Sequence, residues 1–306
     1  IRWPLEAITS SESVVISMPA SAKDRWVFVP GNHSIRVVDL DKNRCFVFLK
    51  FGFNNKFIKS DANIRLKYKW LKTPEVLRQE DGWYEEQKVV GVSWNRLPSV
   101  DLKKKTIIDV QNQLLKLYQK TVVNVSMKDY VSQLCDNILS ILGVSFSSLS
   151  NKEKYIISNF VAELKLLLGS YSNDVNIDLV STHGDLQPGN IMCSKDDFWI
   201  IDWEYSDQRS IFYDALVFDL ECRFPSGLST RFNKKINELG NVEGYLEWTG
   251  QPLDDNRSYY FSVFFLEDLL LRMCEVSTDS IQIKSEILSA YLAELLIIQD
   301  MLIAKK

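Results

Sequence analysis

Histidine and cysteine are scarce in this chain of 306 residues, and the scarcity removes whole classes of chemistry. Two histidines, His33 and His183, exclude a cluster of imidazole metal ligands. The five cysteines, Cys45, Cys135, Cys193, Cys222 and Cys274, are odd in number, widely spaced and without a C-x-x-C pair. Neither a disulfide framework nor a zinc site is expected from them. Reduced, mostly buried thiols are. Basic residues are not in excess: 36 Lys and Arg against 40 Asp and Glu leave a net charge of −4, so no nucleic-acid footprint is implied. No apolar run reads as long enough to span a bilayer. No secretory-signal pattern is visible, and a cytoplasmic protein is expected. Internal repeats and low-complexity tracts are missing too; the segment from Ser145 to Ser150 is a polar loop. The chain opens on Ile1 rather than Met, as expected of a trimmed chain or a piece of a longer protein. The remainder, 46% hydrophobic and 25% charged, has the composition of a globular protein with length enough for two lobes.

The stretch that concentrates chemistry runs from Ser181 to Glu204. His183-Gly184-Asp185 is followed by Asn190, five residues after the Asp, and then by the apolar run Phe198 to Ile201, which ends on Asp202-Trp203-Glu204. In a kinase catalytic loop an Asp takes the substrate hydroxyl proton, while an Asn a few residues on and a second Asp after a strand hold the metal ions on the nucleotide phosphates. The order and spacing fit that task.

His183-Gly184-Asp185 with Asn190, followed by Ile201-Asp202-Trp203-Glu204, resembles the aminoglycoside phosphotransferase and choline kinase superfamily, protein-kinase-like enzymes that phosphorylate small-molecule hydroxyls. Protein kinases usually carry Arg where Gly184 stands and Asp-Phe-Gly where Asp202-Trp203-Glu204 stands, so the small-molecule branch is favoured. The resemblance covers roughly residues 25–220 and is strongest at 181–216. It implies an α+β, bilobal, protein-kinase-like fold. The antiparallel, β-rich nucleotide-binding lobe would span residues 1–90, and the mainly helical lobe with catalytic loop and substrate pocket residues 91–306. It implies ATP and Mg²⁺ as cofactors and a small-molecule hydroxyl as acceptor. Tyr213-Asp214 is similar to the family's structural Asp, which braces the catalytic loop. Ile201 to Tyr205 and the Asp219-Leu220-Glu221 ending lean toward choline and ethanolamine kinases.

Residues 1–57 read as a meander. Ser13 to Met18, Arg25 to Val29, Ser34 to Val38 and Cys45 to Lys50 are β-branched and aromatic, with turn residues between them. Lys50 ends the last run, and its order in the chain matches the phosphate-binding lysine of kinase-like folds, with Lys56 and Lys59 as competitors. The turn over the phosphates would then be Pro30-Gly31-Asn32-His33-Ser34. It holds one glycine, so a Gly-rich loop is missing. A helix is expected from Ser60 to Lys72, before Thr73-Pro74. The family expects a Glu there to pair with the lysine; none is present, and Asp61 is the stand-in. Two strands about Glu80-Asp81-Gly82 lead into Glu86-Gln87-Lys88, the start of the segment whose backbone would meet the adenine edge.

Beyond Pro98, one-faced amphipathic helices are expected over Asp101 to Lys120, Ser126 to Leu142 and Asn151 to Leu168, and helices again to the end. Tyr245, Trp248, Tyr259 and Tyr260, with Glu247, Asp254, Asp255 or Glu267, are a candidate cation–π pocket set against a core role. On this reading Asp185 is the base, Asn190, Asp202 and Glu204 hold Mg²⁺, Lys50 neutralises phosphate, and His183 braces the loop. The acceptor is an amino alcohol such as choline or ethanolamine, a sugar, or an aminoglycoside. The rival is a pseudokinase serving as a binding module. It is supported by the missing helix Glu and the poor glycine loop, and opposed by the presence of Asp185, Asn190 and Asp202 together.

Overall fold

The computed structural model describes residues 25–304, apart from 32, 51–52, 145–148, 172–174, 196, 238–242, 255–256 and 279–281. The expected strand from Ser13 to Met18, the Ser145 loop, Asn32 and Asp255 lie wholly or partly outside the described residues.

Strands β1 (Trp26–Pro30), β2 (Ser34–Asp39) and β3 (Arg44–Leu49) form the expected meander. Helix α1 follows (Lys56–Lys67), then β4 (Val76–Glu80) and β5 (Trp83–Gln87). The sheet order is β1-β2-β3-β5-β4, antiparallel throughout. Alternation puts Cys45 and Val47 on one face, where they join Tyr84, Ile58 and Ala62 in a small core beneath α1. Arg36 pairs across to Val47, Val47 to Tyr84, and Cys45 to Glu86, so Arg36 and Glu86 share that face.

The chain leaves the sheet through residues 88–91 and enters β6 (Val92–Ser93). Gly91 is needed there: a Cβ would lie 2.3 Å from the Cys193 carbonyl oxygen. Helix α2 (Val100–Thr121) buries Val110, Leu114, Leu117 and Tyr118 at three- and four-residue spacing. Strand β7 (Val123–Ser126) leads to α3 (Met127–Val144) and α4 (Asn151–Gly169), the latter opened by a Ser150–Glu153 capping box. Strands β8 (Asn176–Thr182), β9 (Ile191–Cys193), β10 (Phe198–Ile200) and β11 (Asp207–Ser210) build two three-stranded sheets with β6 and β7. Helices α5 (Tyr213–Asp219), α6 (Leu228–Asn237), α7 (Glu243–Thr249), α8 (Tyr259–Thr278) and α9 (Gln282–Ala304) complete the helical region. A continuous apolar core runs through it from Phe57 to Leu302.

Three expectations are refined. Tyr245, Trp248, Tyr259 and Tyr260 are buried in that core and form no open cation cage. Burial of large rings offers more free energy than leaving them in water, and the core reading wins. Among the described residues one helix segment, Glu286–Ala304, is long and apolar enough by length and composition to cross a membrane, against the expectation of none. Its Leu288, Tyr291, Leu292, Leu295 and Ile298 are core residues, which accounts for the apolarity of that face. Cys45, Cys135, Cys193 and Cys222 are buried and Cys274 is half-buried, and burial pushes the Cys45 thiol up to about 12.

Candidate active site

The loop after β8 is pinned from beneath. Asp214, fully buried at the start of α5, accepts hydrogen bonds from the His183 N–H at 2.7 Å, the Gly184 N–H at 2.9 Å and the Tyr118 hydroxyl at 2.8 Å. Gly184 adopts φ +85°, and a Cβ there would lie 2.2 Å from the Tyr205 carbonyl oxygen. A side chain has no room, which is the physical reason for glycine where an arginine is otherwise familiar. His183 is also fixed. Its Nδ1 accepts the Asp185 N–H at 3.2 Å, so Nε2 carries the proton and donates to the Ile201 carbonyl at 2.9 Å. The imidazole is a brace.

Asp185 and Asn190 meet on this loop. Asn190 Nδ2 lies 2.8 Å from the Asp185 carbonyl oxygen and 3.2 Å from its Oδ2. Gln187 Nε2 donates to the same carboxylate at 3.0 Å. Ile201 ties the third residue to them: its N–H donates to the Asn190 carbonyl at 2.9 Å while its own carbonyl holds His183. Asp202 follows in the left-handed region at φ 69°, a conformation uncommon outside glycine. Glu204 is buried in the next turn. Burial, and then the Asp202 carboxylate, push its pKa up to about 9. These are hard oxygen donors of the kind a magnesium ion takes. Asn190 spends its amide nitrogen on Asp185, which leaves its carbonyl oxygen for a cation. The donor set fits Mg²⁺. Among the described residues no group of three or more His, Cys, Asp or Glu is already arranged as a metal cluster.

The cation facing Asp202 is Arg36, which the sequence reading missed. Arg36 Nη2 lies 3.0 Å from Asp202 Oδ1 and 3.9 Å from Asp61 Oδ2, and its Nε 3.8 Å from Glu86 Oε1. Burial lowers the Arg36 pKa, but Asp202, Tyr84, Glu86 and Asp61 together raise it well above the ordinary arginine value. Asp61 is the buried acid of α1. It bonds Arg65 at 3.1 Å and accepts the Tyr84 hydroxyl. Burial raises its pKa, and Arg65 and Arg36 more than offset that, leaving it below the usual range. Glu86 binds Arg65 at 2.7 Å. The side chain of Glu86 is therefore spent on this network.

Lys50 lies elsewhere. Its N–H donates to the His33 carbonyl at 3.0 Å and its Nζ sits 5.7 Å from the Phe53 ring centroid. That places its backbone beside His33, whereas Arg36 reaches Asp202, Asp61 and Glu86. In the turn, the Gly31 N–H donates to the Ser34 carbonyl at 2.9 Å, and Ser34 is buried as the first residue of β2. His33 stacks on Phe57 at 3.8 Å and its Nε2 lies 3.1 Å from the Tyr205 hydroxyl. The Lys88 N–H is taken by the Asn43 carbonyl at 3.1 Å, extending the β3–β5 ladder. Arg36 had a signal: an arginine inside an otherwise apolar strand.

A second missed residue is Arg223, in the turn after α5. Its Nε donates to Asp185 Oδ1 at 2.5 Å and its Nη1 lies 3.2 Å from Glu275 Oε1. Burial lowers its pKa, while Asp185 and Glu275 raise it well above the ordinary value.

No family model matches the chain, and no curated protein matches it by sequence. Solved structures do match over nearly its whole length. The choline kinase LicA from Streptococcus pneumoniae superposes with a TM-score of 0.56 at 15% identity, over 96% of this chain and 97% of that one. An ethanolamine kinase from Plasmodium vivax gives 0.54 at 14%, over 89% and 82%. A thermostable mutant of the aminoglycoside phosphotransferase APH(4)-Ia, in complex with ADP and hygromycin B, gives 0.53 at 12%, over 89% and 94%. The chain shares the α+β fold of these solved structures, with an antiparallel sheet followed by a helical region.

Proposed function

We propose that the protein is an ATP-dependent phosphotransferase acting on a hydroxyl of a small molecule. The observation that carries this reading is the convergence of Asp185, Asn190 and Asp202. Two belong to one loop pinned by Asp214, and Ile201 ties the third to that loop through hydrogen bonds at both its N–H and its carbonyl. In the reaction the acceptor oxygen forms a bond to the γ-phosphorus of ATP, and the bond from that phosphorus to the β,γ-bridging oxygen breaks. Its electron pair leaves on ADP. The hydroxyl proton passes to Asp185. Asn190 and Asp202, with Glu204, would hold Mg²⁺, which when bound neutralises the phosphate charge. Arg36 adds a fixed cation beside Asp202, and Lys50 supplies one just after β3, where its N–H meets the His33 carbonyl. Phosphoryl transfer asks little beyond such positioning and charge neutralisation.

A second reading is a non-catalytic binding module. The guanidinium on each of Asp202 and Asp185, and the absence of a lysine from the buried face of β3, favour it. Turnover separates the two. The experiment is ADP release from the purified protein with ATP and Mg²⁺, over amino alcohols, sugars and aminoglycosides. Asp185→Asn is expected to lower turnover by about 10³-fold or more while leaving MgATP binding intact, since a positioned base contributes about 10²–10⁴-fold. Equal turnover in that variant would overturn the base assignment.

A further inference from the structure

A cavity of about 400 Å³ lies between α1 on one side and α3, α8 and β11 on the other. Small-molecule sites have volumes of roughly 300–1,000 Å³. Phe57 of α1, Leu134 and Ile141 of α3 and Leu270 of α8 give the cavity an apolar wall, and Lys56 and Arg209 line it too. Glu204 reaches its lining, whereas Asp185, Asn190 and Asp202 do not.

Arg209 is the unusual wall residue. Three arginines are buried among the described residues: Arg65, Arg209 and Arg272. Arg65 pairs with Asp61 at 3.1 Å and Glu86 at 2.7 Å, and Arg272 with Asp268 at 2.9 Å. Arg209 keeps 8% of its surface, yet among the described residues no carboxylate lies within ion-pair distance of it. A buried charge without a counter-charge is costly. Its Nη1 donates to Thr182 Oγ1 at 2.9 Å and to the Tyr205 carbonyl at 3.0 Å, and its guanidinium lies 4.9 Å from the Tyr213 ring centroid. Nε and Nη2 have no hydrogen-bond partner among the described residues, and neither is sealed from solvent. Those two N–H groups point the same way, the fork that binds both oxygens of one carboxylate.

The acids on the lining limit the charge of a ligand. Glu267 has both oxygens taken: Oε1 by the Tyr130 hydroxyl and the Ser210 N–H, Oε2 by the Ser210 hydroxyl, each at 2.6 Å. Asp207 is exposed to water. Both act on Arg209 only from beyond ion-pair distance. Lys56 is exposed and makes no ion pair among the described residues. Two cations facing these acids accommodate one added negative charge better than two.

We propose that this cavity binds a small organic monocarboxylate, whose two oxygens take Arg209 Nε and Nη2 while its apolar body lies on Phe57, Leu134, Ile141 and Leu270. Lys56 screens the charge. Such a site is independent of the phosphotransferase reading, and turnover plays no part in its test.

The full chain without nucleotide is presented with hexanoate, benzoate and phenylacetate, and separately with their amides, and read by saturation-transfer NMR with inorganic phosphate as competitor. At least one acid is expected to bind, and its amide about tenfold or more weakly, as for the loss of a charge-assisted hydrogen bond. Arg209→Gln should weaken the acid by a similar factor, and Ile141→Trp, which fills the cavity from a half-buried position, should abolish its binding. Far-UV circular dichroism and the urea midpoint report that the variants are folded. Arg209 also holds the Tyr205 carbonyl, so if Arg209→Gln loses the fold, Ile141→Trp decides. No binding by any acid overturns the proposal. So does an amide that binds as tightly as its acid, or acid affinity unchanged in either folded variant. Displacement by phosphate at concentrations as low as those of the acid overturns the monocarboxylate assignment.

Discussion

At the scale of single residues, backbone geometry and charge pairing make the sharpest demands. Gly184→Ala would place a methyl group against the Tyr205 carbonyl at a backbone angle that disfavours any side chain. Strain and overpacking cost about 1–3 kcal/mol each, so the urea midpoint is expected to fall clearly. An unchanged midpoint would mean that the loop relaxes freely. Arg36 and Lys50 make a second pair of predictions. Loss of a charge-assisted hydrogen bond costs about 1.5–3 kcal/mol, so Arg36→Ala should raise the MgATP Kd by about 10- to 100-fold. Lys50→Ala should raise it less. Titration calorimetry gives both numbers, and the reverse order would return the interior role to the lysine. Arg36 stood out in the sequence only as an arginine within an apolar strand, and an isolated arginine in a strand usually points to water. Here the register of β2 on β3 and β5 turns it onto the face that already carries Glu86 and, from α1, Asp61.

Among the elements, what repeats was readable. The three helices expected beyond Pro98 are found within two residues of their expected bounds, because their apolar spacing matches 3.6 residues per turn. Helix α1 is displaced. It begins at Lys56 rather than Ser60, where the Asn54 side chain accepts the Lys56 N–H at 2.8 Å, and it ends before Tyr68 turns out of the helical region. The cue was Asn54-Asn55, a pair of helix-starting residues. One element contact yields a pH prediction. Glu294 of α9 accepts the N–H groups of Gly227 and Ser229 at the start of α6, at 2.9 and 2.8 Å. Partial burial raises its pKa, but the hydrogen bonds from Ser229 and Gly227 hold it below the ordinary glutamate value. A depressed carboxyl contributes stability that is present above its unfolded pKa and lost as pH falls through the folded one. Glu294→Gln should therefore destabilise the protein by about 1 kcal/mol at pH 7, and the difference should close in acid. A gap that widens on acidification would refute the assignment.

For the whole molecule, the prediction concerns linkage. A ligand bound only by the folded state adds about 2.7 kcal/mol at one hundred times its Kd, a rise of a few degrees in Tm for a chain of this size. ATP with Mg²⁺ should produce that rise, ATP with a chelator a smaller one, and Asp202→Asn should erase the difference; thermal scans of the two proteins decide it. Equal shifts with and without the metal would remove Asp202 from the metal site. The sequence by itself determined the strands of the meander, the three helices beyond Pro98 and the order Asp185, Asn190, Asp202. Those are local facts, set by side-chain period and by a loop short enough to hold its residues together. Tertiary structure alone decided which cations face them. Arg36 comes from 166 positions before Asp202 and Arg223 from 38 after Asp185, and no periodicity links them. Strand register and the packing of α1, α5 and α8 bring each guanidinium to its carboxylate, because a buried charge is stable only where the folded chain supplies its partner.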